Sequence, residues 1–235
     1  MYNLNHKVFD DSFGKGKGKM KVIAINGSPR KNWNTATLLQ HALEGAASQG
    51  AETKLYHLID YDFKGCRSCF ACKKLGGKSY GKCAAKDGLT PILEEIDKEA
   101  DAFILGSPIY IGGVTAEMRA LIERLLYPYA KYDKAMTNLF SRRIPVGFIY
   151  TMNWTPELLK FMNVGLQFAE GSLEKTFGPL EKLCCYDTLQ VNDYAEYDIT
   201  LFDVDAKKKR REEQFPVDCR SAYDMGVRMV QYYKK

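Results

Sequence analysis

The sequence predicts an α/β fold: a doubly wound, five-stranded parallel sheet with helices on both faces. Three observations predict it. Short apolar runs alternate with helix-patterned stretches from Lys21 onward. The runs at 22–26 (VIAIN), 101–106 (DAFILG) and 144–151 (IPVGFIYT) are apolar almost throughout, as strands covered on both faces are. A helix pattern follows each run after a turn, which is the order that makes neighbouring strands parallel through right-handed crossovers.

The elements follow in order. Strand one spans 21–26 and stops at Gly27-Ser28-Pro29-Arg30, where Gly27 is expected to supply unusual backbone angles and Pro29 to end the sheet. Helix one spans 34–49, with Leu38, Leu39, Ala42, Leu43 and Ala46 on one face, and ends near Gly50. Strand two, 53–58, alternates as an edge strand does. A cysteine-bearing loop covers 60–86. Helix two, 88–99, turns Leu89, Ile92, Leu93 and Ile96 inward. Strand three is 101–106 and ends where Ser107-Pro108 breaks it. Helix three, 115–129, carries Met118, Leu121, Ile122 and Leu125. Strand four is 144–151, a helical segment covers 155–177, and strand five is 182–190. Helix five, 217–233, offers Ala222, Met225, Val227 and Val230 to the core. Residues 1–19, with the run GKGKGK, read as a flexible arm, and 20–235 as a single domain.

Composition narrows the function. The 235 residues are 46% hydrophobic and 27% charged, with a net charge of +5. That balance fits an ordinary globule. No apolar run reaches the roughly 18–20 residues of a membrane span, and no secretory signal opens the chain. The expectation is therefore a cytoplasmic protein with no membrane and no nucleic acid among its partners. The one dense basic run, Lys207 to Arg211, reads as a solvated turn before the last helix.

Strand one, its polar loop and the start of helix one form an anion seat. The first turn of a helix leaves N–H groups unpaired, and its dipole favours negative charge. Ser28, Asn34 and Thr35 add donors, Arg30 adds a fixed charge, and no carboxylate lies between Lys21 and His41. A phosphate monoester suits such a loop; so does a plain connection capped by Asn34 or Thr35. Neither GxGxxG nor GxxxxGK[ST] is present. Ligands of parallel sheets bind outside the carboxyl ends of the strands, so the loops 27–36, 107–113 and 151–155 should meet.

Seven cysteines are an odd number, and with no secretory signal they do not suggest a disulfide framework. Cys66, Cys69 and Cys72 are spaced by three, and Cys83 follows. Four thiolates suit a four-iron cluster or a structural zinc, and free redox-active thiols are the remaining reading. Cys184, Cys185 and Cys219 read as packing residues. His6, His41 and His57 have no partner at motif spacing, and no GxSxG or HExxH is present.

NGSPRKNWNTATLL (26–39) and GSPIYIGGVTAEMRALIER (106–124) resemble the phosphate loop and ring-binding loop of flavodoxin-like NAD(P)H-dependent FMN reductases. The stretch CRSCFACKKLGGKSYGKCAAKDGL (66–89) resembles their C-x2-C-x2-C…C…D segment, which relatives also keep with only FMN bound; iron–sulfur flavoproteins of the superfamily use a similar motif with a shorter gap before the last cysteine. NDYAEY (192–197) and FPVDCRSAYDMG (215–226) are similar to the C-terminal part of a clostridial-type subset. The resemblance implies strand order 2-1-3-4-5. It places the FMN phosphate on Ser28, Arg30, Asn34, Thr35 and Ala36, and the flavin ring against Pro108, Ile109, Tyr110, Ile111 and Gly112. Backbone N–H groups near 110–113 would stabilise the reduced ring. Thr151 should face the ring, and Trp154 should either cover it or pack on the following helix. The implied partners are NAD(P)H and a small or protein electron acceptor. The alternative is an electron-transfer protein whose cluster on Cys66, Cys69, Cys72 and Cys83 wires FMN to a ferredoxin-like partner. A homodimer or homotetramer is implied, with the slot finished by a neighbouring subunit. No side chain is nominated as acid or base.

Overall fold

The computed structural model describes residues 18–157 and 164–234. Of the arm expected at 1–19, all but the last two residues lie outside them, as does part of the helical segment at 155–177. Five parallel strands form the sheet: β1 (Lys21–Asn26), β2 (Glu52–His57), β3 (Ala102–Tyr110), β5 (Val146–Thr151) and β6 (Leu180–Cys185). Their order is β2-β1-β3-β5-β6. A two-residue strand, β4 (Gly113–Val114), pairs antiparallel with the end of β3. Counting the parallel strands alone, the order is the expected 2-1-3-4-5.

The continuous apolar runs have a direct explanation. Along β1, Val22 and Ala24 face one core, and Ile23 and Ile25 face the other; all four are fully buried. The first core packs the sheet against α1 (Asn34–Ser48) and α6 (Phe215–Gln231). The second packs it against α2 (Thr90–Lys98), α3 (Ala116–Leu126) and α4 (Val164–Phe177). β2 alternates because it is the edge. In the last helix Met225, Met229 and Val230 are buried, whereas Val227 is only half-buried.

Three sequence expectations are corrected. Strand three does not end at Gly106 but continues through Pro108 to Tyr110. Proline is tolerated there because β1 has already ended, so the missing N–H faces no ladder, while Pro108 still lies opposite Thr151. Strand five is shifted, ending at Cys185, and residues 186–190 leave the sheet. The basic run is a helix, α5 (Val204–Glu213), and its Lys207 is only 2% exposed.

α1 and α6 cross at two glycines. A Cβ on Gly226 would lie 1.7 Å from the Ala42 carbonyl oxygen, and one on Gly45 would lie 2.0 Å from that of Tyr223. Backbone atoms cannot swing aside as a flexible side chain does. Gly226→Ala should therefore cost about 3 kcal/mol or more, roughly 10 °C in Tm for a domain of this size. Gly171→Ala on α4, where a Cβ meets open space, should hold or raise Tm. Thermal unfolding of the two variants checks the contrast.

Candidate functional site

The loops after β1, β3 and β5 meet at the carboxyl end of the sheet. α1 opens without a side-chain cap: Trp33 sits at the N-cap in extended conformation, and no acidic residue occupies the first turn. Its first-turn N–H groups therefore point at the loop without an intrahelical partner. Ser28, Asn34, Thr35 and Ala36 are buried and Arg30 is exposed. The Thr35 and Thr151 hydroxyls lie 2.8 Å apart, both buried, which joins the first loop to the third.

Gly27 serves the site differently from the sequence expectation. Its φ is not positive. Instead its position is tight: a Cβ would lie 2.8 Å from Met118 Cβ, beneath the start of α3. Its N–H donates to the Gly106 carbonyl at 2.8 Å, and its own carbonyl accepts from the Thr115 hydroxyl at 2.7 Å. The phosphate-type loop is thereby fastened to the β3 loop.

The Asn26 amide sets the loop entry. Its Oδ1 accepts from the Ser28 N–H at 3.0 Å, and its Nδ2 donates to His57 Nδ1 at 3.0 Å. The bond requires an unprotonated Nδ1. Burial pushes the His57 imidazole below its ordinary value, Lys31 pushes the same way, and Asp60 opposes them. A histidine whose pKa is lowered by folding favours the folded state above its unfolded pKa, and that stability is lost as pH falls. Protonation would face one donor with another and release Asn26 from Ser28. Affinity for a phosphate-bearing ligand should fall once acidification passes the lowered His57 value, which lies under the ordinary histidine range, and His57→Gln should flatten that step. Ligand titrations at pH 5.5 and 7.5 check it.

β3 and β4 form a tight hairpin with Ile111 and Gly112 at its tip, at φ 49° and 78°. Two left-handed residues in a two-residue loop make a type I′ turn. For a β-branched residue this is a strained backbone, and Ile111 is fully exposed. Tyr110 is exposed and Pro108 and Ile109 are half-buried, so the hairpin presents a mainly apolar wall. The Ser107 hydroxyl braces it, accepting from Thr115 N–H at 3.1 Å. Trp154 packs on the core beside the sheet.

A second layer escaped the sequence reading. The Leu189 carbonyl accepts from Asn34 Nδ2 at 2.8 Å and from Trp33 Nε1 at 3.1 Å, and the Gln190 carbonyl accepts from Arg30 Nη1. Arg211 of α5 donates to Asn34 Oδ1 at 2.7 Å. Both ends of the Asn34 carboxamide are thus anchored, and its second Nδ2 hydrogen and its backbone N–H have no partner among these bonds. Lys207 donates to Asn153 and Asp187, tying the β5 loop to the β6 loop. These contacts span up to 177 residues, and the unbroken basic run 207–211, which reads as a solvated turn in the sequence, carries no signal for them.

The cysteine loop is a separate feature. Cys66, Cys69, Cys72 and Cys83 all line one cavity of about 310 Å3, together with Phe70, Glu123, Arg124 and Tyr127. Ser68 and Phe70 both adopt left-handed backbone, at φ 53° and 56°, on either side of Cys69. Lys73 pins the loop to the end of α3 through the carbonyls of Tyr127, Pro128 and Ala130. Among the described residues no three Cys, His, Asp or Glu side chains stand close enough to share one ion.

Residues 20–151 match the NADPH-dependent FMN reductase family. The chain belongs to this family. Curated relatives are similar over a shorter stretch. An iron-sulfur flavoprotein of Methanocaldococcus jannaschii is 44% identical over 105 residues, 45% of this chain and 51% of that protein. One from Archaeoglobus fulgidus is 43% identical over 105 residues, covering 45% of this chain and 48% of that protein. The chain thus spans about half the length of the curated relatives it matches. Among solved structures, an NAD(P)H:quinone oxidoreductase from Methanothermobacter marburgensis superposes with a TM-score of 0.61 at 12% identity, over 90% of this chain and 98% of that one. An azoreductase from Bacillus anthracis gives 0.63 at 10% identity, over 89% and 99%. At these identities the likeness establishes the fold, which is flavodoxin-like. Among the described residues of this FMN reductase family member, no helix is long and apolar enough to cross a membrane.

Proposed function

We propose that the protein is an FMN-dependent oxidoreductase that takes electrons from NAD(P)H and passes them to a small or protein acceptor. The observation that carries this reading is the uncapped, acid-free start of α1, set beside the apolar β3–β4 hairpin. Ser28, Arg30, Thr35, Ala36 and the Asn34 N–H would hold the phosphate. Pro108 to Gly112 would flank the ring, and Thr151 would stand at its inner edge. Bound FMN supplies hydride acceptance and onward electron transfer. The chain's own part is to bind, orient and stabilise. First-turn N–H groups meet the phosphate charge, and the N–H groups of the hairpin offer donors to the polar edge of the ring. The exposed Tyr110 and Ile111 would leave one side of the slot for a second copy of the chain to finish, in a homodimer or homotetramer. Mixing the FMN-loaded protein anaerobically with NADH or NADPH should bleach the flavin absorption within a turnover. A flavin that stays oxidised with both nicotinamides would contradict the reading.

A second reading is favoured by the cysteine cavity: the four thiolates would hold an iron–sulfur cluster as the exit for electrons. The fit rests on the donor set and its surroundings. Four cysteines border one space much larger than a single ion needs, and Arg124 buries two donors without hydrogen-bond partners at its wall. A lone zinc draws its sulfurs to about 2.3 Å, whereas a four-iron cluster keeps its cysteines around a larger body.

A further inference from the structure

Arg124, on the last turn of α3, is 3% exposed. One arm of its guanidinium is occupied. Nη1 donates to Asp87 Oδ2 at 2.6 Å and to the Lys64 carbonyl at 3.1 Å. Nε and Nη2 are buried and have no hydrogen-bond partner. An arginine cannot shed its proton to escape burial, so these two donors stay charged and unsatisfied unless a bound group accepts them. The same side chain lines the cavity bordered by Cys66, Cys69, Cys72 and Cys83.

We infer that Arg124 is a positioning residue for the cysteine site: its free guanidinium donors orient the sulfur of the group that the cysteines would hold and set the reduction potential of that group. The inference rests on the cluster reading above. Sulfur ligands of clusters accept N–H bonds, and such bonds, with the local charge, tune the potential. A fixed positive charge beside the cluster favours its more negative, reduced form. Asp87 anchors the other face of the guanidinium and partly cancels its charge.

That pairing makes a sign test available. Arg124→Gln removes the charge and the fork but keeps a side chain able to bond the Lys64 carbonyl. Asp87→Asn removes the counter-charge and weakens the same loop anchor. A merely structural role for Arg124 would move both variants in one direction, because both loosen the 62–88 loop. The expected result is opposite signs. Arg124→Gln should lower the midpoint potential by the equivalent of a tenfold change in the reduction equilibrium, 59 mV for one electron. Asp87→Asn should raise it.

The experiment is a redox titration followed by electron paramagnetic resonance on anaerobically purified full-length protein, with iron, FMN and Tm measured on each sample. If Arg124→Gln loses its iron while keeping FMN, and Asp87→Asn keeps both, the inference is supported. Equal potentials in wild type and Arg124→Gln, or a shift of the same sign and size in both variants, would overturn it. An iron-free wild type would instead overturn the cluster reading itself; the iron assay, made first, tells the two failures apart.

Discussion

On the cluster reading, serine at Cys66, Cys69, Cys72 or Cys83 is expected to strip the iron from the protein and leave its FMN in place. All four side chains border one cavity, and a cubane that loses a thiolate ligand loses its hold on the chain, so iron should fall from about four per chain towards none. FMN should stay because the loops assigned to it, 27–36 and 107–112, are other segments of the fold. The remaining cysteines provide the control. Cys185 and Cys219 are buried, and burial pushes the thiols of Cys184, Cys185 and Cys219 up. All three lie in β6 and α6 and none borders the cavity shared by the other four. Serine at any of these three should leave iron unchanged. Iron that survives replacement of Cys72 and of Cys83, or FMN that departs with the iron in every variant, would contradict the assignment.

The second large effect concerns the phosphate. Arg30→Ala and Thr35→Val should each weaken FMN binding by about tenfold or more, because a bond to a charged group contributes roughly 1.5–3 kcal/mol. Riboflavin, which lacks the phosphate, separates the causes. Its weaker affinity should be the same in wild type and Arg30→Ala. Thr35→Val also leaves the buried Thr151 hydroxyl without its 2.8 Å partner, so a small loss of riboflavin affinity is expected there. Isothermal titration with both ligands reads this directly. Equal losses for FMN and riboflavin in Arg30→Ala would place the arginine away from the phosphate.

The sheet was legible in the sequence for a physical reason. Strands such as Val22 to Ile25 are buried on two faces and so carry apolar residues at every position, a pattern that few loops share. Helix faces were legible for the same reason: Leu38, Leu39 and Ala42 all meet one core. The loops assigned to the cofactor were legible through local chemistry, since an acid-free helix start and a Pro-Ile-Tyr-Ile-Gly-Gly turn are written in consecutive residues.

What escaped was non-local or tertiary. α5 has no apolar stripe, because Lys207, Arg210 and Arg211 turn inward to bond Asp187, the Tyr186 carbonyl and Asn34. Charge gives no periodic signal for such burial. Gly27 looked like a backbone hinge, yet its constraint is Met118, which is 91 residues away in sequence (118 − 27). β4 is two residues long and pairs only through the strained Ile111 turn. The meeting of Cys83 with Arg124 depends on α3 docking against the 62–88 loop, which no spacing rule encodes.

The central claim is that this chain is a flavoprotein built on the loops after β1 and β3. Its most direct test is anaerobic purification followed by an absorption spectrum and assays of FMN and iron. The account predicts flavin peaks and FMN stoichiometric with the chain, with a broad underlying band and iron added on the cluster reading. A colourless protein that takes up no FMN when FMN is added would contradict it.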